Sequence, residues 1–311
     1  MSRWSSLKRF WTHRYGHARF RLMDINCVAY LGLIGFFLIF FHQGVEHWFL
    51  FILIHAVLIA GILEIVRLGE IHPQKKVFWI FRVFYPVPLF LFLWGELESL
   101  VPMIFGNYWA TDMIVRWDEL FFGVHPTVWV QQFYTPWLNE LINFLYAGYY
   151  TFFLVVPISL FLSKRKEETF SVFSVATFVY FSNFILFFFL PAYAPQHIPW
   201  LQKLHTHEMT GFLFVEINRI IQSQGAVHGA CFPSSHVAGA FAWVFLALRY
   251  IRKLGYALIP VAIGVAFGTV YMKLHHAVDP IIGIIWGVIA YGIAMKILRR
   301  RNEDPLRRSE K

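Results

Sequence analysis

Long apolar blocks recur along this chain, separated by short polar segments in which arginine and lysine gather. Eight blocks stand out, at residues 25–41, 47–66, 83–104, 138–162, 169–191, 234–251, 255–274 and 279–297. An α-helix rises about 1.5 Å per residue, so about 20 apolar residues cross the roughly 30 Å hydrocarbon core of a bilayer. The pattern therefore predicts an all-α, polytopic membrane bundle of about eight transmembrane helices. No internal repeat, low-complexity tract or linker divides it. The expected organisation is a basic leader over 1–24, one membrane domain over 25–298 and a basic tail over 299–311.

The polar segments orient the bundle. The leader, Arg67 with Lys75 and Lys76, the "SKRKEE" segment, Arg249 with Arg252 and Lys253, and the "LRRRNEDPLRR" tail all fall on one side of an eight-span chain. Basic loops face the cytoplasm, which places both termini there. Within the leader, Trp4, Leu7, Trp11 and Tyr15 recur at helical spacing among Arg3, Lys8, Arg9 and Arg14. That is the pattern of a helix lying on an anionic membrane surface, with a flexible basic leader as the alternative. The first apolar block lacks a small-residue cleavage site and reads as a retained helix rather than a signal peptide.

Composition sharpens this picture. The chain of 311 residues is 58% hydrophobic and 14% charged, against roughly 25% charged in soluble domains. Its net charge of +9 follows the membrane loops, so nucleic acid is not an expected partner. Two cysteines, Cys27 and Cys231, exclude a disulfide framework or a multi-cysteine metal centre and read as small packing residues.

Against this background two stretches are unusual: "FPSSHVAG", with Ser234, Ser235 and His236, and "HHAVDPIIG", with His275, His276 and Asp279. The topology brings both to the outer face, together with "LPAYAP" at 190–195, which holds Tyr193. His275 and Asp279 are four apart, so the carboxylate can accept from the ring Nδ1–H and leave Nε2 as a nucleophile. His236 can act as proton donor, and a helix beginning at the serines offers N–H groups to an anion. Asp118 reads as an interfacial structural carboxylate. Tyr146, Tyr149 and Tyr150 read as packing residues.

These two stretches resemble the last two signature motifs of the type 2 phosphatidic acid phosphatase superfamily, Pro-Ser-x-His followed by His-x-x-x-Asp. The resemblance covers about residues 140–297. It implies that His275 attacks phosphorus, Asp279 orients it and His236 protonates the leaving group, with no cofactor and no metal. The superfamily's first motif, Lys-x6-Arg-Pro, is absent. Lys75 and Arg82 imitate its spacing on the cytoplasmic side, and Gly268-Thr269 stand where Ser-Arg usually precedes the second histidine. "LPAYAP", "GACFPSSH", "HHAVD" and "WDELFFGVHP" are similar to the inositol-phosphorylceramide-synthase-like branch.

The implied activity is a lipid phosphatase or phosphotransferase acting on a phospholipid or polyprenyl phosphate, with water, a polyol or a lipid alcohol as acceptor. The branch resemblance favours transfer of an inositol-phosphate-type head group. Candidates for holding phosphate are Ser234, Ser235, His276, Lys273, Arg116 and Tyr193, with Lys203, Arg219 and His228 as further outer-face choices. Rival readings are a membrane transporter and a haem or zinc protein built on His236, His275 and His276. No Asn-x-Ser/Thr sequon occurs, in keeping with a bacterial inner membrane and a site facing the periplasm.

Overall fold

The computed structural model describes residues 18–106 and 109–308. The leader residues Trp4, Leu7, Trp11 and Tyr15 lie outside them. The described chain is helical throughout, its only extended pairing being a single parallel bridge between Ala192 and Ala230. In chain order the main helices are α1 (Leu22–Phe41), α2 (Trp48–Ile71), α3 (Lys76–Phe84), α4 (Pro86–Leu100), α5 (Thr111–Phe122) and α6 (Pro136–Ala147). They continue as α7 (Tyr149–Leu162), α8 (Lys166–Phe189), α9 (Leu213–Gly225), α10 (Ser235–Tyr250), α11 (Arg252–Tyr271) and α12 (Val278–Arg300).

Seven helical segments among the described residues are long and apolar enough to cross a membrane. Two of them are broken. Pro86 has no N–H to continue the ladder, so α3 and α4 form one span, Lys76–Met103, interrupted at Tyr85. Pro136–Leu162 is divided between α6 and α7 at Gly148, where a Cβ would lie 2.6 Å from Val261 Cγ1 of α11.

The sixth of the eight apolar blocks is the exception to the expected count. Residues 234–251 yield the 16-residue α10, about 24 Å long, which falls short of the hydrocarbon thickness. α10 does not need length, because it is wrapped by α8, α11 and α12 rather than by lipid. α8 is the other central helix: 72% of its apolar window is buried, against 17% for α2 on the periphery.

Small residues let the central helices approach. A Cβ on Gly283 of α12 would lie 2.7 Å from the Ser234 carbonyl, and one on Gly287 would lie 2.8 Å from the Ala238 carbonyl. This Gly-x-x-x-Gly face lays α12 directly against α10, the close packing that small residues permit between membrane helices. The same contact sets the beginning of α12 beside the beginning of α10.

The two ends of the bundle differ. At the Lys166 end of α8, Arg21 pairs with Glu167 at 2.7 Å, and Arg82 pairs with Asp24 at 2.5 Å. Arg249 there pairs with Asp304 at 2.7 Å, and Ser171 donates to the Glu303 carbonyl at 2.9 Å. Arg82 thus belongs to a buried ion pair about 36 Å, the length of the 24-residue α8, from the other end. That other end carries the histidine motifs.

Candidate active site

The site is built from three chain segments that meet beyond the Phe189 end of α8. The 190–195 loop is held by Ala192 N–H donating to the Gly229 carbonyl (3.1 Å) and by Ala110 N–H donating to the Pro191 carbonyl (2.7 Å). Ser234 caps α10, its Oγ accepting from Val237 N–H at 3.4 Å, while its own N–H donates to the Asp279 carbonyl at 3.2 Å. Between α11 and α12 the chain turns sharply, with Lys273 in the left-handed region (φ 64°), and places His275 against both.

His275 is buried. Its Nδ1–H donates to Asp279 Oδ2 at 3.2 Å, because a carboxylate only accepts, and this leaves Nε2 as the lone-pair nitrogen. The Ser234 hydroxyl lies 3.2 Å from that Nε2. Asp279 Oδ2 also accepts from His276 N–H (2.9 Å) and from the Cys231 thiol (3.0 Å), whereas Oδ1 is buried without a partner. Burial pulls His275 down to about 4, so the ring is neutral at physiological pH. Burial, reinforced by the Asp279 carboxylate, pushes the Cys231 thiol up, which keeps it an S–H donor.

The His236 ring stands 6.0 Å from that of His275, centroid to centroid, at 65°. Tyr149 (4.7 Å), Trp94 (5.6 Å) and Tyr146 (5.9 Å) enclose it, and its Nδ1 is buried without a partner. Both imidazoles, Ser235 and Cys231 line one cavity of about 440 Å³, whose other walls include Phe90, Phe153 and Leu154. Trp94 Nε1–H donates to the Gly225 carbonyl at 3.0 Å, tying α4 to the end of α9 at the cavity wall.

The remaining candidates stand around this cavity rather than in it. His276 is buried, its Nε2–H donating to the Tyr193 carbonyl at 3.1 Å. The Tyr193 ring stacks on Trp109 at 4.0 Å. Lys273 Nζ lies over the Tyr134 ring at 5.5 Å. Arg116 and Lys203 are exposed, Arg219 pairs with Glu216 at 2.7 Å, and His228 pairs with Glu98 at 2.8 Å. No Lys or Arg is among the described residues that line the cavity.

Two residues gain roles that their sequence context did not suggest. Asp118 of α5 accepts from Ala277 N–H and Val278 N–H, both at 2.9 Å, and so caps the start of α12 from another helix. Burial lifts its carboxyl to about 6, against the two amide hydrogen bonds that favour the anion. Cys231, which reads in sequence as a packing residue, touches both Asp279 and His275. Its Sγ, His275 Nδ1 and an Asp279 oxygen lie within 4.8 Å of one another and are the donors among the described residues with metal-ligand proximity. The arrangement as a whole can present a nucleophilic nitrogen, a second imidazole opposite it and a helix N-terminus to one anionic group.

Residues 169–303 match the family model of the PAP2 superfamily, which includes membrane lipid phosphatases. The matched region runs from the start of α8 to beyond α12 and contains Ser234, His236, His275 and Asp279. No curated protein and no solved structure matches the chain.

Proposed function

We propose that this protein is a membrane-embedded lipid phosphatase or phosphotransferase that works through a phosphohistidine on His275. The observation that carries the reading is the pair of imidazoles facing each other 6.0 Å apart at the polar end of an apolar cavity. Imidazoles this close can both reach one phosphate, the nucleophile about 3–3.5 Å from phosphorus and the acid within about 3 Å of the leaving oxygen. His275 Nε2 attacks phosphorus, Asp279 holds the opposite nitrogen and stabilises the developing cation, and His236 gives a proton to the departing oxygen. His236 then removes a proton from the acceptor, whose oxygen displaces His275 and releases the product. The apolar walls take acyl or polyprenyl chains.

The finer reading is transfer of an inositol-phosphate-type head group. It is supported by the absence of Lys and Arg from the described lining residues, since a singly charged phosphodiester needs less neutralisation than a phosphomonoester or diphosphate. The basic end of the bundle lies opposite the site, and this asymmetry supports a site on the exoplasmic face.

The test is incubation of the purified protein with phosphate-labelled phosphatidate, polyprenyl diphosphate and phosphatidylinositol, with and without acceptor alcohols. Release of inorganic phosphate identifies a phosphatase, and a new phosphodiester identifies a transferase. An acid-labile label on the wild-type protein and none on His275→Ala is the expected trapping result. A stable intermediate on another residue would overturn the assignment.

A further inference from the structure

We propose that Cys231, His275 and Asp279 form a site for a soft divalent metal such as Zn²⁺, and that its occupation removes the lone pair His275 needs as a nucleophile. The removal of activity rests on the functional reading above; the metal site does not. The sulfur lies 3.0 Å from Asp279 Oδ2 and 3.6 Å from His275 Nδ1, and the nitrogen lies 3.2 Å from the same oxygen. Zinc bonds of about 2.3 Å to sulfur and about 2.0–2.2 Å to nitrogen and oxygen give tetrahedral edges of about 3.3–3.6 Å. Two edges of that triangle are already in place, and the third opens by about half an ångström.

A second observation points the same way. Asp279 Oδ1 is buried and has no hydrogen-bond partner, so one oxygen of the carboxylate still has its lone pairs free for a cation. Thiolate with imidazole selects zinc-like ions over magnesium or calcium, which favour oxygen ligands. Cys231 and His275 both line the cavity, which supplies a route of entry. Among the described residues, Cys27, buried in α1, belongs to no such cluster.

The proton balance explains the loss of the nucleophile. The metal displaces the thiol proton, which is released to solvent, and the thiolate, Nδ1 and the carboxylate become ligands. The imidazole stays neutral, so the proton formerly on Nδ1 moves to Nε2. There it faces the Ser234 hydroxyl, 3.2 Å away, which accepts it. An Nε2 that carries a proton has no electron pair for phosphorus.

The experiment uses the full chain in detergent micelles, titrated with Zn²⁺, and with Cd²⁺ to read the thiolate charge-transfer band. One equivalent binds, and nitrogen NMR of labelled histidines shows the His275 proton passing from Nδ1 to Nε2. Cys231→Ala loses the band and binds Zn²⁺ at least about 100-fold more weakly, since loss of even an outer-shell partner costs about 10–100-fold. Cys231→Ser, which keeps a hydrogen-bond donor to Asp279, loses the band as well, while Cys27→Ala retains it. Lipid-phosphate turnover falls with occupancy and returns on chelation. Equal binding by wild type and Cys231→Ala, an unmoved His275 proton, or turnover that rises with Zn²⁺ would each overturn the proposal. A preparation that turns over no lipid phosphate would sink the functional reading alone, because the band and the NMR still decide the site.

Discussion

The two ends of α8 hold buried carboxylates in different ways. At the Lys166 end, Asp24 takes two bonds from the Arg82 guanidinium (2.6 and 2.5 Å) and one from Tyr85 (2.7 Å). At the other end, Asp279 is held by a thiol, an imidazole and a backbone amide, and Asp118 by two amides. Guanidinium pairs fix helices to one another strongly, but their charge is already neutralised. Amide and thiol donors hold a carboxylate in place while leaving it available to a histidine that, in the mechanism proposed above, becomes cationic. On the proposed function, the difference separates a structural electrostatic layer from a reactive one within a single bundle.

The sharpest way to break that contrast is to remove one member from each end. His275→Ala should reduce turnover on the order of 10⁶-fold, the scale of losing a nucleophile, with little change in thermal stability in detergent. Arg82→Ala should do the reverse. Leaving buried Asp24 without its cation should cost about 3–5 kcal/mol of stability, read by denaturant titration, with unchanged turnover per folded molecule. If Arg82→Ala instead lost turnover at full stability, the division between the ends would be wrong.

Smaller changes test how the reactive end is held. Asp118→Asn places an amide NH₂ against one of two buried N–H donors and should cost about 1–3 kcal/mol, with turnover falling as the α12 start shifts. Gly283→Ala puts a methyl group 2.7 Å from the Ser234 carbonyl, and overpacking of this kind costs about 1–3 kcal/mol. Its effect on turnover should exceed that of Gly292→Ala, where a Cβ meets nothing within 4 Å.

The mildest test is pH. His275 is depressed by burial to about 4, so its neutral, nucleophilic form persists well below the usual histidine range. The acid limb of kcat/KM should therefore fall near pH 4 rather than near 6.5. The same depression means that the unfolded chain binds the proton first. Its contribution to stability is fully present above about pH 6.5 and is lost as pH falls toward 4. A kinetic limb at 6.5 would show a solvated His275 and break the comparison with the drier interior.

Much of the bundle was legible from periodicity. Apolar blocks of span length, Pro-Ser before His236, and Asp279 four residues after His275 are local patterns, and local backbone geometry turns them directly into helices and into a turn that sets His275 against the start of α12. Three features were not legible. Cys231 looked like any small residue, because its partner Asp279 is 48 positions away. Asp118 looked interfacial, because the amides it caps are 159 and 160 positions away. The brevity of α10 was hidden because hydropathy counts apolar residues without distinguishing lipid from protein as their surroundings.

By itself, then, the order of residues determined a helical membrane bundle and the kinds of groups available for chemistry, since helix period and transfer from water act over a few neighbouring positions. Which groups touch was decided only by tertiary packing: the glycine face that sets α12 on α10, the Asp118 cap, and the thiol beside the His275–Asp279 pair. Hydrogen-bond and ligand geometry vary over tenths of an ångström, and separations of that kind between distant segments exist only once the helices have packed.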